Sequence, residues 1–477
     1  MNKIIQSIIN LLQKHWAPFV GIVILLILCT FNLKNQYLFD GDSARDTLQS
    51  LRLLRSRDIT LIGPPLSLGM NGIKETYFSS LIYYIAAGML LISNNSIFAV
   101  TFAMSLITAS GIIPLYLILK KRGLNNKNSL LLIMMYVTNP VVVGMSRILW
   151  NPSPLIGSGL WGLYFLGRSA IIFGLIAGLT IYFHYFAIAL IIFGIVFYVI
   201  KKKYSDALYA LLSFTLTLVP FFLFELKNKF YLTTSLLYNL NQSPNNISFN
   251  QIYLRFLEIP SHLLGLFYIK GINYGQIAVI FGLLLWLLLI YFNRRNVYII
   301  FFIISAIMTS IASHGYVGIQ YILISIGVLV AYCINIKSKR ATIIVILIVL
   351  FQAFNTFYII NSSPSVSSGM PFPVISDLEA INTSIKTLHN PNASFNITEN
   401  VTGDARATYL RFFLERDRVS NLQDELHYEG LDELYVLTPS LSKTLQENKW
   451  EFTATPDLIK THEITIDKYI LLRFDHK

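Results

Sequence analysis

The sequence predicts an all-α polytopic membrane domain with about eleven transmembrane helices, followed by a small C-terminal α/β domain outside the cytoplasm. Three observations predict it. The chain of 477 residues is 54% hydrophobic and only 13% charged, with a mean hydropathy of +0.58, whereas a soluble domain carries about 25% charged residues. Long apolar runs recur from end to end of the first 360 residues. Beyond them a Ser- and Pro-rich stretch introduces a segment of ordinary polarity.

The apolar runs lie at 16–33, 77–92, 97–119, 129–145, 155–167, 169–200, 205–224, 276–292, 297–313, 315–334 and 341–360. Basic clusters separate them: Lys120, Lys121, Arg122 and Lys127, then Arg168, Lys201–Lys203, Arg294–Arg295, and Lys337, Lys339 and Arg340. Excess Lys and Arg marks cytoplasmic loops. All these clusters share the cytoplasm, with the N-terminus, on two conditions. The run 77–92 must stop short of a crossing, since sixteen helical residues rise about 24 Å against a hydrocarbon core of about 30 Å. The run 169–200 must pass twice, breaking near His184, because thirty-two residues would make a helix of about 48 Å. The first outer loop then covers 34–96 with juxtamembrane helices, a second covers 226–275, and the C-terminal domain lies outside.

The formal net charge of +12 does not point to nucleic acid, because the basic residues form short loop clusters rather than one patch. Cys29 and Cys333 both fall inside apolar runs, and no CxxC or Cys/His metal spacing occurs. Lys3 and Lys14 precede the stretch Trp16–Leu33 without a small-residue cleavage site, so this stretch reads as an uncleaved first span.

Residues 1–360 thus form the membrane domain, 361–373 a linker, and 374–477 a small α/β domain. In the last, helices are expected at 376–389 and 404–416, and strands at 394–398, 433–438 and 468–474. The N-x-S/T sequons there are what an Asn-rich chain produces by chance.

Charge gathers at "FDGDSARD", residues 39–46. Asp42 or Ser43 caps a helix running through "ARDTLQSLRLLRSRD", with leucines at 48, 51 and 54 and arginines at 45, 52 and 55. Such an amphipathic helix suits the headgroup layer, and its spacing sets Asp42, Arg45 and Asp46 within one turn. Further polar groups collect on the same predicted face. Lys74 and Glu75 follow the rigid "LIGPPLSLG" turn, Arg147 and Asn151 stand in "SRILWNPSPL", His184 in "IYFHYFA", and Glu225 in "VPFFLFELKNKF". Ionisable groups at membrane depth cost about 2.5–3.5 kcal/mol on insertion scales, so several at one edge suggest a site.

The stretch "DSARDTLQSLRLLRSRDITLIGPPLSLG" resembles the first outer loop of the GT-C membrane glycosyltransferases, which include the protein O-mannosyltransferases and the aminoarabinose transferases acting on lipid A. Asp42 matches the Asp that opens their acidic motif, and Arg45 and Asp46 match its D-x-x-R-D form. "SRILWNPSPL" is similar to the loop that in many relatives carries a second carboxylate, where this chain has Asn151. "FHYFAIAL" and "PFFLFELKNKF" are similar to their histidine segment and Pro-to-Glu span end. The likeness covers residues 1–230, extends over 276–360 only as a span pattern, and does not reach the C-terminal domain.

The resemblance implies a multi-pass cell-membrane enzyme that moves a sugar from a polyprenyl-phosphate-linked donor to a hydroxyl of a lipid, glycan or protein acceptor, with inversion, at the outer face. Asp42 would be the general base. Arg45, Lys74, Arg147 and His184 would stabilise the phosphate leaving group, and Asp46, Asn151 and Glu225 would line the same substrate site. Glu75 resembles a carboxylate that holds a divalent metal ion in some relatives. Two other readings compete: a transporter or flippase for lipid-linked sugars, and a non-catalytic envelope assembly protein. The lack of internal repeats and the one-sided charge disfavour the transporter.

Overall fold

The structure is a computed structural model that describes residues 14–37, 39, 41–65, 76–242, 249–266, 275–293, 296–312, 323–334, 336, 338–361, 372–402, 404, 406–439 and 450–476. The chain divides into two compact units. One comprises Met1–Phe31, Ile59–Ile85 and Thr101–Ile360, the other Asn32–Asp58, Ala86–Val100 and Asn361–Lys477.

The first unit is helical. Among the described residues, three helices are long and apolar enough to cross a bilayer: Ile97–Lys121, Gln276–Asn293 and Lys339–Asn361. Two bent pairs, Asn126–Val137 with Pro140–Ser146 (60°) and Tyr204–Thr217 with Val219–Lys227 (51°), bring the count to five if each pair is one span. Seven shorter apolar helices of 10–17 residues accompany them. Length therefore supports three to five of the eleven expected crossings. The faces of Gln276–Asn293 and Lys339–Asn361 that carry Ile280, Leu284, Leu287, Leu347, Leu350 and Phe354 are exposed. Water would not tolerate so continuous an apolar surface, and lipid does.

Each bend has a local cause. Pro140 cannot donate to the ladder of the preceding helix, so Asn139 restarts it, its Oδ1 accepting from Val141 N at 2.9 Å. Pro220 does the same after Leu218. The long run 169–200 divides into Ala170–Ile181, a 3₁₀ turn Tyr185–Ala187 and Ile188–Ile200, with the break at His184. Residues Leu329–Cys333 form a π-helical turn, which frees carbonyls that lipid could not solvate. Arg122 donates to Ala331 O at 2.5 Å and Ile334 O at 2.9 Å, Asn293 to Cys333 O at 2.9 Å, and Asn296 to Tyr332 O at 2.9 Å.

Close packing uses small residues. Ala170–Ile181 carries Gly174 and Gly178 four apart, facing Tyr204–Thr217. A Cβ at Gly174 would lie 2.2 Å from Ala210 O, and one at Gly178 only 1.7 Å from Thr217 Oγ1. Without a hydrophobic force between helices in lipid, such close backbone approach is a main source of association. Buried polar side chains add to it. Gln352 donates to Leu264 O at 2.7 Å, Asn355 to Gly265 O at 3.1 Å, and Thr356 to Thr138 O at 2.8 Å.

A two-stranded antiparallel sheet pairs β1 (Ile62–Pro65) with β2 (Tyr77–Ser79). The run 77–92 thus opens as a strand, and its helix, Leu81–Ile92, is only 12 residues long, about 18 Å.

The second unit holds a four-stranded sheet of β3 (Phe395–Glu399), β4 (Glu433–Thr438), β5 (Leu458–Ile466) and β6 (Tyr469–His476), in the order β3-β4-β6-β5. β3 and β4 are parallel and the other pairs antiparallel. The parallel pair requires a crossover, which contains the helix Thr408–Arg416; the helix Ile375–Leu388 precedes β3. The expected helices and strands are all present, and β5 is an addition. Its outward-facing residues are mostly exposed, so it lacks the apolar alternation that marks a half-buried strand. The sheet's polar centre is Glu433, which accepts from Arg473 Nη2 at 3.0 Å, Asn390 N at 3.0 Å and Tyr435 OH at 3.0 Å, and bonds His389 Nδ1 at 2.8 Å.

This unit also takes in residues 32–58 and 86–100, most of which belong to the first outer loop in sequence. Phe39 is fully buried against Phe412 and Phe413, at ring-centroid distances of 5.4 and 6.0 Å. The amphipathic helix is Gly41–Ser56. Its leucines 48, 51 and 53 are buried, and its basic face is occupied by protein. Arg52 pairs with Glu415 and, at 2.7 Å, with Glu425. Arg55 donates to Glu415 O at 2.6 Å, at the C-terminal end of Thr408–Arg416.

Candidate functional site

The acidic motif folds as its spacing requires. Asp42 and Arg45 lie in the first turns of Gly41–Ser56, where Arg45 Nη1 meets Asp42 Oδ1 at 2.9 Å and Arg45 Nε meets Asp46 Oδ1 at 2.8 Å. One guanidinium thus holds two carboxylates. They differ in access: the Asp42 side chain is 52% exposed and that of Asp46 only 1%. Asp42 is open to solvent, and Asp46 holds Arg45 from the buried side. Behind them Tyr37 and Ser43 share a hydrogen bond of 3.0 Å, and Thr47 Oγ1 bonds Ser43 O at 2.7 Å.

Farther along the same helix, burial pulls the Arg52 pKa down, and the Glu415 and Glu425 carboxylates more than reverse this. In return, Arg52 helps to outweigh the burial that would raise Glu425, leaving its carboxyl below the usual range. Sequence reasoning could not find these partners, because the nearer of them lies 363 residues away.

The remaining described candidates belong to the other unit. Arg147 is buried, and its Nη1 donates to Leu28 O at 2.7 Å and Phe31 O at 2.9 Å, closing the C-terminal end of the helix Trp16–Thr30. A cation there complements the helix dipole. Its Nη2 and the Oδ1 of Asn151, also buried, find no hydrogen-bond partner among the described residues.

His184 is 5% exposed and stands in extended backbone (φ −161°) at the start of the 3₁₀ turn. Its Nδ1 accepts from Phe186 N at 3.3 Å, which leaves Nε2 as the protonated nitrogen of the neutral ring. Phe78 of β2 lies 5.2 Å from it, and Phe78 also stacks on Tyr185 at 5.2 Å. The Tyr185 hydroxyl bonds Tyr77 O. Phe78 therefore walls the histidine on one side, and Tyr185 is tied to the same strand through the Tyr77 carbonyl.

Glu225 serves the backbone. Its Oε1 accepts from Leu232 N at 2.7 Å and its Oε2 from Thr233 N at 2.9 Å and from the Thr233 hydroxyl, so it caps the start of the helix Tyr231–Gln242. Lys74 and Glu75 lie outside the described residues. Among the described residues, no three His, Cys, Asp or Glu side chains gather as metal ligands would.

Two solved structures share this fold. ArnT from Cupriavidus metallidurans bound to undecaprenyl phosphate is similar with a TM-score of 0.61 and 11% identity, over 95% of this chain and 97% of that one. The same ArnT in the apo state gives 0.60 and 10%, with the same coverage. No protein-family model and no curated protein matches the chain.

Proposed function

We propose that this protein is a membrane glycosyltransferase that takes a sugar from a polyprenyl-phosphate-linked donor and passes it to an acceptor hydroxyl at the outer membrane face. The observation that carries the reading is the Asp42–Arg45–Asp46 cluster, with Arg45 Nη1 at 2.9 Å from an accessible Asp42, in a fold shared with an ArnT that binds undecaprenyl phosphate.

In the proposed reaction, the Asp42 carboxylate removes the acceptor hydroxyl proton as its oxygen attacks the anomeric carbon. The bond from that carbon to the donor phosphate oxygen breaks on the opposite side, its electron pair leaves with the phosphate, and the configuration inverts. Arg45 serves twice, orienting Asp42 and offering a guanidinium to the departing phosphate; a planar fork suits both carboxylate and phosphate. By resemblance, His184, Arg147, Asn151, Lys74 and Glu75 are further candidates for substrate binding. The acceptor class is a lipid, glycan or protein hydroxyl.

The test is transfer of labelled sugar from a polyprenyl-phosphate donor by purified Asp42→Asn protein. General-base loss costs about 10²–10⁴-fold in rate, with donor binding kept. Transfer at the wild-type rate would remove Asp42 from the mechanism, and donor translocation without transfer in proteoliposomes would make the protein a flippase.

A further inference from the structure

Three helices end, within the second unit, around one open cavity of about 880 Å³. They are Gly41–Ser56, Leu81–Ile92 and Thr408–Arg416. Its floor is apolar, from Leu51, Leu54, Leu90 and Leu91. Three arginines also line it: Arg55, Arg57 and Arg418. All three arginines are exposed, and Arg55 bonds only backbone carbonyls, those of Glu415 and Arg416.

We propose that this cavity binds the headgroup of an anionic phospholipid from the surrounding bilayer, a site separate from the Asp42 cluster. Arg55 and Asp42 stand thirteen residues apart on one helix, about 20 Å. Charge complementarity argues for the anion. Three helix C-termini supply about −1.5 elementary charges at most, which leaves the three arginines unbalanced. Chemistry argues for the lipid. The apolar floor continues into Leu91 and Ile92, 65% and 75% exposed on the last turn of an apolar helix, where an acyl chain would rest.

Backbone conformation adds an independent argument. Each helix closes with a left-handed residue, bonded back by Arg57 N to Leu53 O at 3.0 Å, Asn95 N to Leu90 O at 2.8 Å, and Arg418 N to Glu415 O at 2.9 Å. Glycine or asparagine is the ordinary choice there. The helix Leu81–Ile92 uses one, with Asn94 at φ 54° and Asn95 at φ 62°. The other two place arginine, Arg57 at φ 61° and Arg418 at φ 57°, against a steric preference that glycine would not face. The two left-handed turns set Arg57 and Arg418 at the lining of the cavity.

The test measures lipid binding by the full chain in neutral detergent, using phosphatidylglycerol and phosphatidylcholine of identical acyl chains. Wild type is expected to prefer phosphatidylglycerol about tenfold or more, given the usual pull of an arginine on an anionic headgroup. The double variant Arg57→Gly/Arg418→Gly should lose that preference while keeping or raising its lipid-free Tm, since glycine relieves both left-handed turns. The surface variant Lys121→Gln/Lys127→Gln should keep the preference, and inorganic phosphate should not displace the lipid. Equal affinity for the two lipids would overturn the site. So would a preference that survives in the double variant or falls equally in the lysine variant, and displacement by inorganic phosphate would make the ligand a free anion instead.

Discussion

Arg52 and Glu425, far apart in sequence, form an ion pair of 2.7 Å in which the same guanidinium also grips Glu415. The helix that carries Asp42 is therefore clamped from its other end by the C-terminal residues. Arg52→Leu leaves two half-buried carboxylates facing each other without their cation. Hydrogen bonds to charged groups are worth about 1.5–3 kcal/mol each, so the variant should melt several degrees below wild type in a detergent thermal-shift assay. An unchanged Tm would show that the clamp is idle.

Acid should weaken the second unit through Asp417. Burial would raise this carboxyl, but hydrogen bonds from Arg416, Lys386 and Asn382 pull it down to about 2. A depressed folded-state pKa stabilises the fold above the unfolded value, about 3.9, and that contribution is lost as pH falls toward 2. Stability curves of wild type should therefore decline between roughly pH 4 and pH 2 more steeply than those of Asp417→Asn. Parallel curves would contradict the assignment.

Asp46 is expected to act on the reaction only through Arg45. Asp46→Asn keeps the helix but loosens the guanidinium that it holds at 2.8 Å. Transfer should fall about tenfold, well short of the loss at Asp42, and the rate should respond more than the KM for donor. A loss equal to that of Asp42→Asn would make the buried carboxylate a direct participant.

Glu225 should prove to be a helix cap. Glu225→Gln weakens three bonds to Leu232 and Thr233, at a cost of about 1 kcal/mol in keeping with cap substitutions. The thermal midpoint should drop while the KM for the lipid-linked donor stays put. A raised KM with an unchanged midpoint would return this carboxylate to the substrate site.

Gly174 and Gly178 make a close helix contact within the first unit. Gly178→Leu drives a side chain into Thr217, whose Oγ1 would lie 1.7 Å from the new Cβ. Overpacking costs about 1–3 kcal/mol. Size-exclusion profiles in detergent should shift from a monodisperse peak toward aggregate, and an unaltered profile would mean that the two helices separate freely.

What the sequence made legible follows physical range. The apolar runs, the break at His184 and the strand at 433–438 are local patterns, and the described residues carry helices, a break and a strand there. The Asp42–Arg45–Asp46 grouping is also local, set by helical spacing alone. Glu415 and Glu425 were invisible as partners of Arg52, because nothing in a basic helix face distinguishes lipid headgroups from distant carboxylates. Arg147 carried no sign that two backbone carbonyls 116 and 119 residues earlier would claim it. The π turn at Leu329–Cys333 has no composition of its own, since apolar residues fill it as they fill the spans around it. β5 was missed because an exposed edge strand shows no buried face.

Phe39 and the helix behind it are finished by residues that ribosomes deliver more than three hundred positions later. The segment that bears the acidic motif must therefore wait, incomplete, until the last quarter of the protein has emerged. Grafting the C-terminal sheet onto another membrane scaffold would accordingly mean transplanting three strips of chain together, and cutting it away would disarm the very helix that a minimal enzyme would be built to keep.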